Sequence, residues 1–185
     1  LGLVYLAACL EADGHTTRII DEVIGQHVDP ALDEFRPDVV CISFMTMHAV
    51  RAYELADRIR NRGFTVVAGG GAFTVSPVAI LKELGLEYGI VGQGEEPLRQ
   101  FLESFPNQEM MSGIPNLVWR HGNDFLINPR RTYTFGDVAY SIEREKKFNY
   151  AYETVGLPVQ VKRGCNQNCC YCVEPLIEGR KFVFR

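Results

Sequence analysis

The chain has 185 residues, enough for one sizeable domain and part of a second. Its composition, 46% hydrophobic and 23% charged, is that of an ordinary globular protein, and a formal net charge of −4 argues against a nucleic-acid-binding surface. No apolar run approaches the ~20 residues of a membrane span and no basic leader opens the chain, so a reducing, cytoplasmic setting is expected.

Leu1–Asp13 reads as a helix, with Leu3, Leu6, Ala7 and Leu10 on one face and Gly14 as its stop. Thr16–Asp21 is a short β-branched run, expected as a strand; Glu22–Pro37 reads as a loop with at most a short helix. Asp38–Phe44 is a continuous apolar run, as in a strand buried on both faces of a parallel sheet. A helix over His48–Arg62 follows, with Ala49, Ala52, Tyr53, Ala56 and Ile59 inward. Phe64–Ala68 is the next buried strand, and it runs into a loop at Gly69-Gly70-Gly71. Ser76 and Pro77 have the types of an N-cap and a first helical residue, and Gly85 ends that helix. Glu87–Val91 is a further strand, and Pro97 opens a helix with Leu98, Phe101, Leu102 and Phe105 on one face.

Strand and helix alternate over this whole stretch. That predicts a doubly wound α/β sheet of the Rossmann or flavodoxin type, short of its first strand, because the chain begins with a helix. Asn116–Arg120 and Phe125–Asn128 then read as a hairpin. The expected division is a first domain over 1–130, a linker over 131–157 and the start of a second domain over 158–185. Within the linker, Ser141–Asn149 is a candidate short helix; Pro158–Lys162 is the second domain's first β-run. The opening at Leu1, and the end at Arg185 soon after the cysteines, suggest a piece of a longer protein.

Chemistry concentrates in Arg163-Gly-Cys-Asn-Gln-Asn-Cys-Cys-Tyr-Cys172, which holds four of the six cysteines. Cys165, Cys169 and Cys172 have the spacing C-x3-C-x2-C. Soft thiolates select an iron–sulfur cluster, zinc or copper(I). A structural zinc site usually wants two separated Cys/His pairs, and here there is one cluster of cysteines with no second pair. A disulfide framework belongs to small secreted domains. Three thiolates on one cubane leave an iron open for chemistry. The frame Cys165–Cys170–Cys172 is formally possible as well.

With an aromatic Tyr171 just before the third cysteine, this motif resembles the signature of radical S-adenosylmethionine (radical SAM) enzymes. The resemblance implies a 4Fe-4S cluster on Cys165, Cys169 and Cys172, with Cys170 spare. It also implies S-adenosyl-L-methionine on the open iron, its adenine against Tyr171, cleavage to a 5′-deoxyadenosyl radical, and a flavodoxin- or ferredoxin-type electron donor. The opening Leu-Gly-Leu-Val-Tyr-Leu-Ala-Ala-Cys-Leu-Glu-Ala-Asp-Gly-His, with Val-Ala-Gly-Gly-Gly-Ala and Val-Gly-Gln-Gly-Glu-Glu, resembles the cobalamin-binding domain that precedes the radical SAM barrel in one large subfamily. That similarity implies that Ser43, Thr46, Gly69, Gly70, Gly71, Gly92, Gly94 and Glu95 line the cobalamin site.

The axial histidine known from other cobalamin enzymes would fall upstream of Leu1. His15 reads as surface, His48 as a helix-start residue, and Cys9 and Cys41 as small core hydrophobes. The expected activity is methyl transfer to an unactivated carbon of a small molecule, or a related radical rearrangement. A methylthiotransferase of tRNA or ribosomal protein is the alternative, since Pro175 and Gly179-Arg180 also resemble that family's motif. The other alternative is a cobalamin-binding module without catalysis of its own.

Overall fold

The structure is a computed structural model and describes residues 2–133 and 160–184. The expected helix over Ser141–Asn149, most of the expected linker, and Pro158 lie outside the described residues. Contacts divide the described chain into two compact units, one of residues 2–37 and 160–161, the other of 38–133 and 162–184.

In the first unit α1 spans Gly2–Ala12 and buries Val4, Tyr5, Ala7, Cys9 and Leu10. Leu3 and Leu6, expected inward, are half-buried: the helix is apolar nearly all round, so four-residue spacing alone did not locate its buried stripe. Gly14 follows in the left-handed region at φ +89°. Thr16–Asp21 forms no strand, because no ladder partner exists for it among the described residues. The next segment is more helical than expected, with a 3-10 turn at Glu22–Ile24 and α2 at Val28–Phe35.

The second unit is built on one five-stranded sheet in the order β1-β2-β3-β4-β5. Strands β1 (Val39–Ser43), β2 (Thr65–Gly69) and β3 (Tyr88–Ile90) are parallel. Helix α3 (Ala49–Asn61) links the first two, burying Ala52, Ala56 and Ile59. Two short helices, α4 (Gly70–Val75) and α5 (Pro77–Leu84), link β2 to β3. Helix α6 (Glu95–Ser104) follows β3 and leads through a 3-10 stretch to the hairpin of β4 (Leu117–His121) and β5 (Asp124–Ile127). That hairpin continues the same sheet antiparallel, so the sheet is mixed. Gly122 begins its two-residue turn at φ +60°, which glycine adopts without steric cost. Beneath the hairpin, the buried Asn128 amide donates to the Met111 carbonyl at 2.6 Å and the Ile114 carbonyl at 2.7 Å, while the Trp119 indole donates to its Oδ1 at 3.2 Å.

Four local expectations need correction. β1 is half-exposed, because it is the edge strand of the described sheet. The three glycines do not form a loop: Gly69 ends β2 and Gly70 begins α4 directly. Ser76 stands at the N-cap of α5, but its side chain makes no capping bond. Helix α6 starts at Glu95, two residues before Pro97, which puts Glu95 and Glu96 in its first turn, where the helix dipole favours acids. Near the carboxyl end, Gln160 and Val161 of the expected β-run lie in no strand and Lys162 opens β6 (Lys162–Arg163), which pairs antiparallel with β7 (Val183–Phe184); α7 (Glu174–Glu178) lies between them.

Candidate functional site

Because β1, β2 and β3 are parallel, their carboxyl ends at Ser43, Gly69 and Ile90 fall on one edge of the sheet. The turns that leave this edge are where ligands of open α/β sheets bind. The turn after β1 is open: Ser43, Met45, Thr46, Met47 and His48 are all exposed, the methionines by 56% and 80%. It therefore offers two hydroxyls beside soft apolar surface.

The glycine turns are closed by the chain itself. Gly70 has φ +91°, and a Cβ there would lie 2.6 Å from the backbone N and O of Phe44. This close approach fits the backbone lock, in which the Phe44 N–H donates to Gly69 O and the Ala72 N–H to Phe44 O. Gly92, at φ +71°, would place a Cβ 3.2 Å from the Ile177 carbonyl, and Gly71 faces the side chains of Ile177 and Val173. The segment just beyond the cysteines, α7, thus sits against two of the three turns.

A partly buried polar network joins these parts. The Gly92 N–H donates to the Thr74 hydroxyl at 2.9 Å, and that hydroxyl donates to Gly70 O at 2.9 Å. The Arg130 guanidinium donates to the Thr74 carbonyl at 3.0 Å and the Leu176 carbonyl at 3.5 Å. Asn116, in the left-handed region at φ +64°, donates to Gln93 O at 3.2 Å and Arg131 O at 3.0 Å. The buried Gln93 side chain donates to Glu178 Oε2 at 3.0 Å and accepts from the Tyr133 N–H. Arg163 is 5% exposed; its guanidinium bonds the Glu95 carboxylate and lies 3.5 Å from Glu178 Oε2. None of Thr74, Gln93, Asn116, Arg130, Arg163 or Glu178 was singled out from the sequence. The available signal was Arg163 preceding Gly164-Cys165, with acids at Glu174 and Glu178 one helical turn apart.

The cysteine loop itself is anchored at its base. Gly164, at φ +82°, would place a Cβ 2.0 Å from the Lys181 carbonyl, and the Cys165 N–H donates to Gly179 O at 3.1 Å. Farther out, the Cys172 N–H closes a turn on Cys169 O at 3.2 Å. Cys169, Cys170, Cys172 and Tyr171 are exposed, and Cys165 is half-buried. Among the described residues, no three His, Cys, Asp or Glu side chains converge closely enough to hold a metal ion. The donor set nonetheless fits an iron–sulfur cluster in chemistry, with three soft thiolates on one short, anchored loop. Of the other expected site residues, Gly94 caps α6 and Glu95 opens it, its carboxylate taken up by Arg163. His15 is exposed and Cys9 buried as expected, whereas Cys41 is only half-buried as a residue, because β1 lies at the sheet edge. No helix among the described residues is long and apolar enough to cross a membrane.

Comparison with known proteins bears on this arrangement. The bacteriochlorophyllide d C-8(2)-methyltransferase of Chlorobaculum tepidum is 30% identical over 145 residues, covering 78% of this chain and 30% of that protein. The hopanoid C-3 methylase of Methylococcus capsulatus is 26% identical over 193 residues, covering 98% of this chain and 37% of that protein. The chain therefore spans about a third of the length of the curated relatives it matches. Among solved structures, the radical S-adenosylmethionine methyltransferase TsrM from Kitasatospora setae, with cobalamin and a [4Fe-4S] cluster bound, superposes with a TM-score of 0.77. It covers 100% of this chain and 40% of its own, at 21% identity. The cobalamin-dependent S-adenosylmethionine radical enzyme OxsB superposes with a TM-score of 0.78 at 15% identity, covering 98% of this chain and 26% of its own. At these identities the likeness is one of fold. Residues 1–102, more than half of the chain, match the B12 binding domain family, and the chain belongs to that family.

Proposed function

We propose that this chain is the cobalamin-binding part, with the cluster-bearing loop, of a cobalamin-dependent radical SAM methyltransferase. The observation that carries this reading is that one compact unit contains both the ligand-binding sheet edge and the C-x3-C-x2-C loop. The cysteine segment and the Gly92–Glu95 turn are joined there by Arg163 and Glu178. When bound, the 4Fe-4S cluster supplies an electron and an open iron for S-adenosyl-L-methionine, and cobalamin supplies a methyl carrier.

The chain's own residues divide the remaining work. Cys165, Cys169 and Cys172 act as thiolate ligands, and Gly164 allows the loop to close beneath them. The exposed Tyr171 ring offers a face to the adenine. Ser43, Thr46 and the exposed methionines after β1 form the open part of the cobalamin site, while Gly69–Gly71, Gly92 and Gly94 shape its floor. The substrate class is a small molecule methylated at an unactivated carbon, with a flavodoxin- or ferredoxin-type electron donor. The family match over residues 1–102 favours this reading over the methylthiotransferase one.

The test is anaerobic reconstitution of the four single Cys→Ala variants, with iron, sulfide and the visible charge-transfer band measured. Cys165→Ala, Cys169→Ala and Cys172→Ala should lose the cluster or hold it partly degraded, and Cys170→Ala should keep it. A cluster lost in Cys170→Ala and kept in Cys169→Ala would show the ligand frame to be wrong.

A further inference from the structure

Arg163 is the most deeply buried charged side chain of the described core, and it precedes the first cysteine of the loop by two residues. Its guanidinium is held from two sides: Glu95 from the first turn of α6 bonds it, and Glu178 from the last turn of α7 stands 3.5 Å away. Glu178 is held in turn by the buried Gln93 amide at 3.0 Å. A planar guanidinium between two carboxylates fixes direction as well as distance, which the compact ammonium of lysine does not do. Among the described residues, Gly164 against Lys181 and Cys165 against Gly179 fix the base of the loop within the carboxyl-terminal segment, while α7 beyond it packs on Gly71 and Gly92. The Arg163–Glu95 pair reaches from the loop's root to the turn after β3, 68 residues away in sequence.

We propose that Arg163, clamped by Glu95 and Glu178, is the positioning residue that sets the cysteine loop against the cobalamin-binding sheet edge. Glu95, which the family resemblance implied to be a cobalamin-lining residue, thereby serves the loop. The inference rests on the cluster reading above only for its effect on the cluster; the docking of the loop stands without it. A carboxylate or guanidinium one shell out from the ligands orients them, and loss of such partners typically changes metal affinity or activity by ~10–100-fold.

The test uses the intact protein with Arg163→Met, Arg163→Lys, Glu95→Gln and Glu178→Gln. Backbone hydrogen exchange is read first, without the cluster. Arg163→Met and Glu95→Gln should each speed exchange at the Cys165 and Cys172 amides by about tenfold or more while β2 and β3 keep their protection, since local openings need not involve the global unfolding reaction. Arg163→Lys should recover only part of that protection. After anaerobic reconstitution, the reduced cluster's EPR signal and its response to added S-adenosyl-L-methionine should change in the same variants, and hydroxocobalamin affinity in the cluster-free protein should not. Two results overturn the proposal. One is a Glu95→Gln protein with weakened cobalamin binding and an unchanged loop, which makes Glu95 a cobalamin contact. The other is an equal loss of protection across β2, β3 and the loop, fully restored by Arg163→Lys, which makes the pair a structural ion pair only. Absence of iron in the wild-type protein defeats the cluster reading, and the exchange measurement still decides whether Arg163 docks the loop.

Discussion

A glycine whose missing Cβ faces backbone is constrained differently from one that faces a ligand. Gly70 and Gly164 are of the first kind: both have positive φ, and both would drive a Cβ into backbone, of Phe44 and of Lys181. Strain in that region of φ is itself on the order of 1–3 kcal/mol, before the clash is added. Gly70→Ala should therefore lower the melting temperature by several degrees, and Gly164→Ala should lower the iron taken up on anaerobic reconstitution if the loop holds the proposed cluster, although Gly164 carries no ligand atom. Gly113→Ala, with nothing within 4 Å of the new Cβ, is the neutral control in the same melts. The cysteines divide in a parallel way. Cys169, Cys170 and Cys172 are exposed, whereas Cys9 is buried. The Cys41 residue is half-exposed on β1, but its thiol is surrounded by protein and desolvation pushes it from 9.0 up to about 12. Alkylation of the native, metal-free protein at pH 8 should label the three exposed thiols and spare Cys9 and Cys41, as peptide mapping would show. Because the folded-state value of Cys41 is raised, its contribution to stability is complete below pH 9 and is lost as pH rises towards 12. Urea titrations of Cys41→Ala should show a shallower alkaline fall. Spacing and residue type made these cysteines legible in the sequence. Glu95 was legible only as part of a glycine-rich turn, because its partner Arg163 lies 68 residues away.

Elements were legible where their signal is local. The apolar runs gave β1, β2 and β3, Gly85 ended α5 in the left-handed region at φ +61°, and the turn at Gly122 gave the hairpin. What failed needs information from elsewhere in the chain. Thr16–Asp21 has strand composition, but a strand exists only by pairing, and none of the described strands pairs with it. The apolar run of β1 predicted burial on both faces, yet its place at the edge of the described sheet leaves it half-exposed. Of the three turns at the carboxyl edge, those after β2 and β3 bear glycines and the one after β1 does not. In the structure, α7 packs on Gly71 and Gly92, and Phe44 closes on Gly70, while the turn after β1 stays open. That difference dictates how the cobalamin site should be probed. A bulky residue at an exposed position blocks a ligand without straining backbone, so Thr46→Trp should weaken hydroxocobalamin binding by at least about tenfold, ~1.4 kcal/mol, with little change in melting temperature. Binding as tight as wild type in Thr46→Trp would move the ligand away from the β1 turn.

At the scale of the molecule, membership of the B12 binding domain family predicts a ligand effect that depends on no single residue assignment. A ligand that binds the folded chain and not the unfolded one stabilises it by mass action, by about 2.7 kcal/mol when its free concentration is 100 times Kd. For a protein of this length that corresponds to a rise in melting temperature of about 5 to 10 °C. The rise must also grow with the logarithm of ligand concentration, which separates site binding from a solvent effect of the additive. Hydroxocobalamin is the probe, melted with the protein at concentrations from below to far above its Kd, with Thr46→Trp as the blocked control. The cluster-free protein suffices, because the family match covers residues 1–102 and ends well before Cys165. A melting temperature that stays flat over the whole range would mean that the domain keeps the fold of its family and has lost the ligand. The cysteine loop would then have no second cofactor to be set against, and a methyl transfer that draws on cobalamin could not be its chemistry.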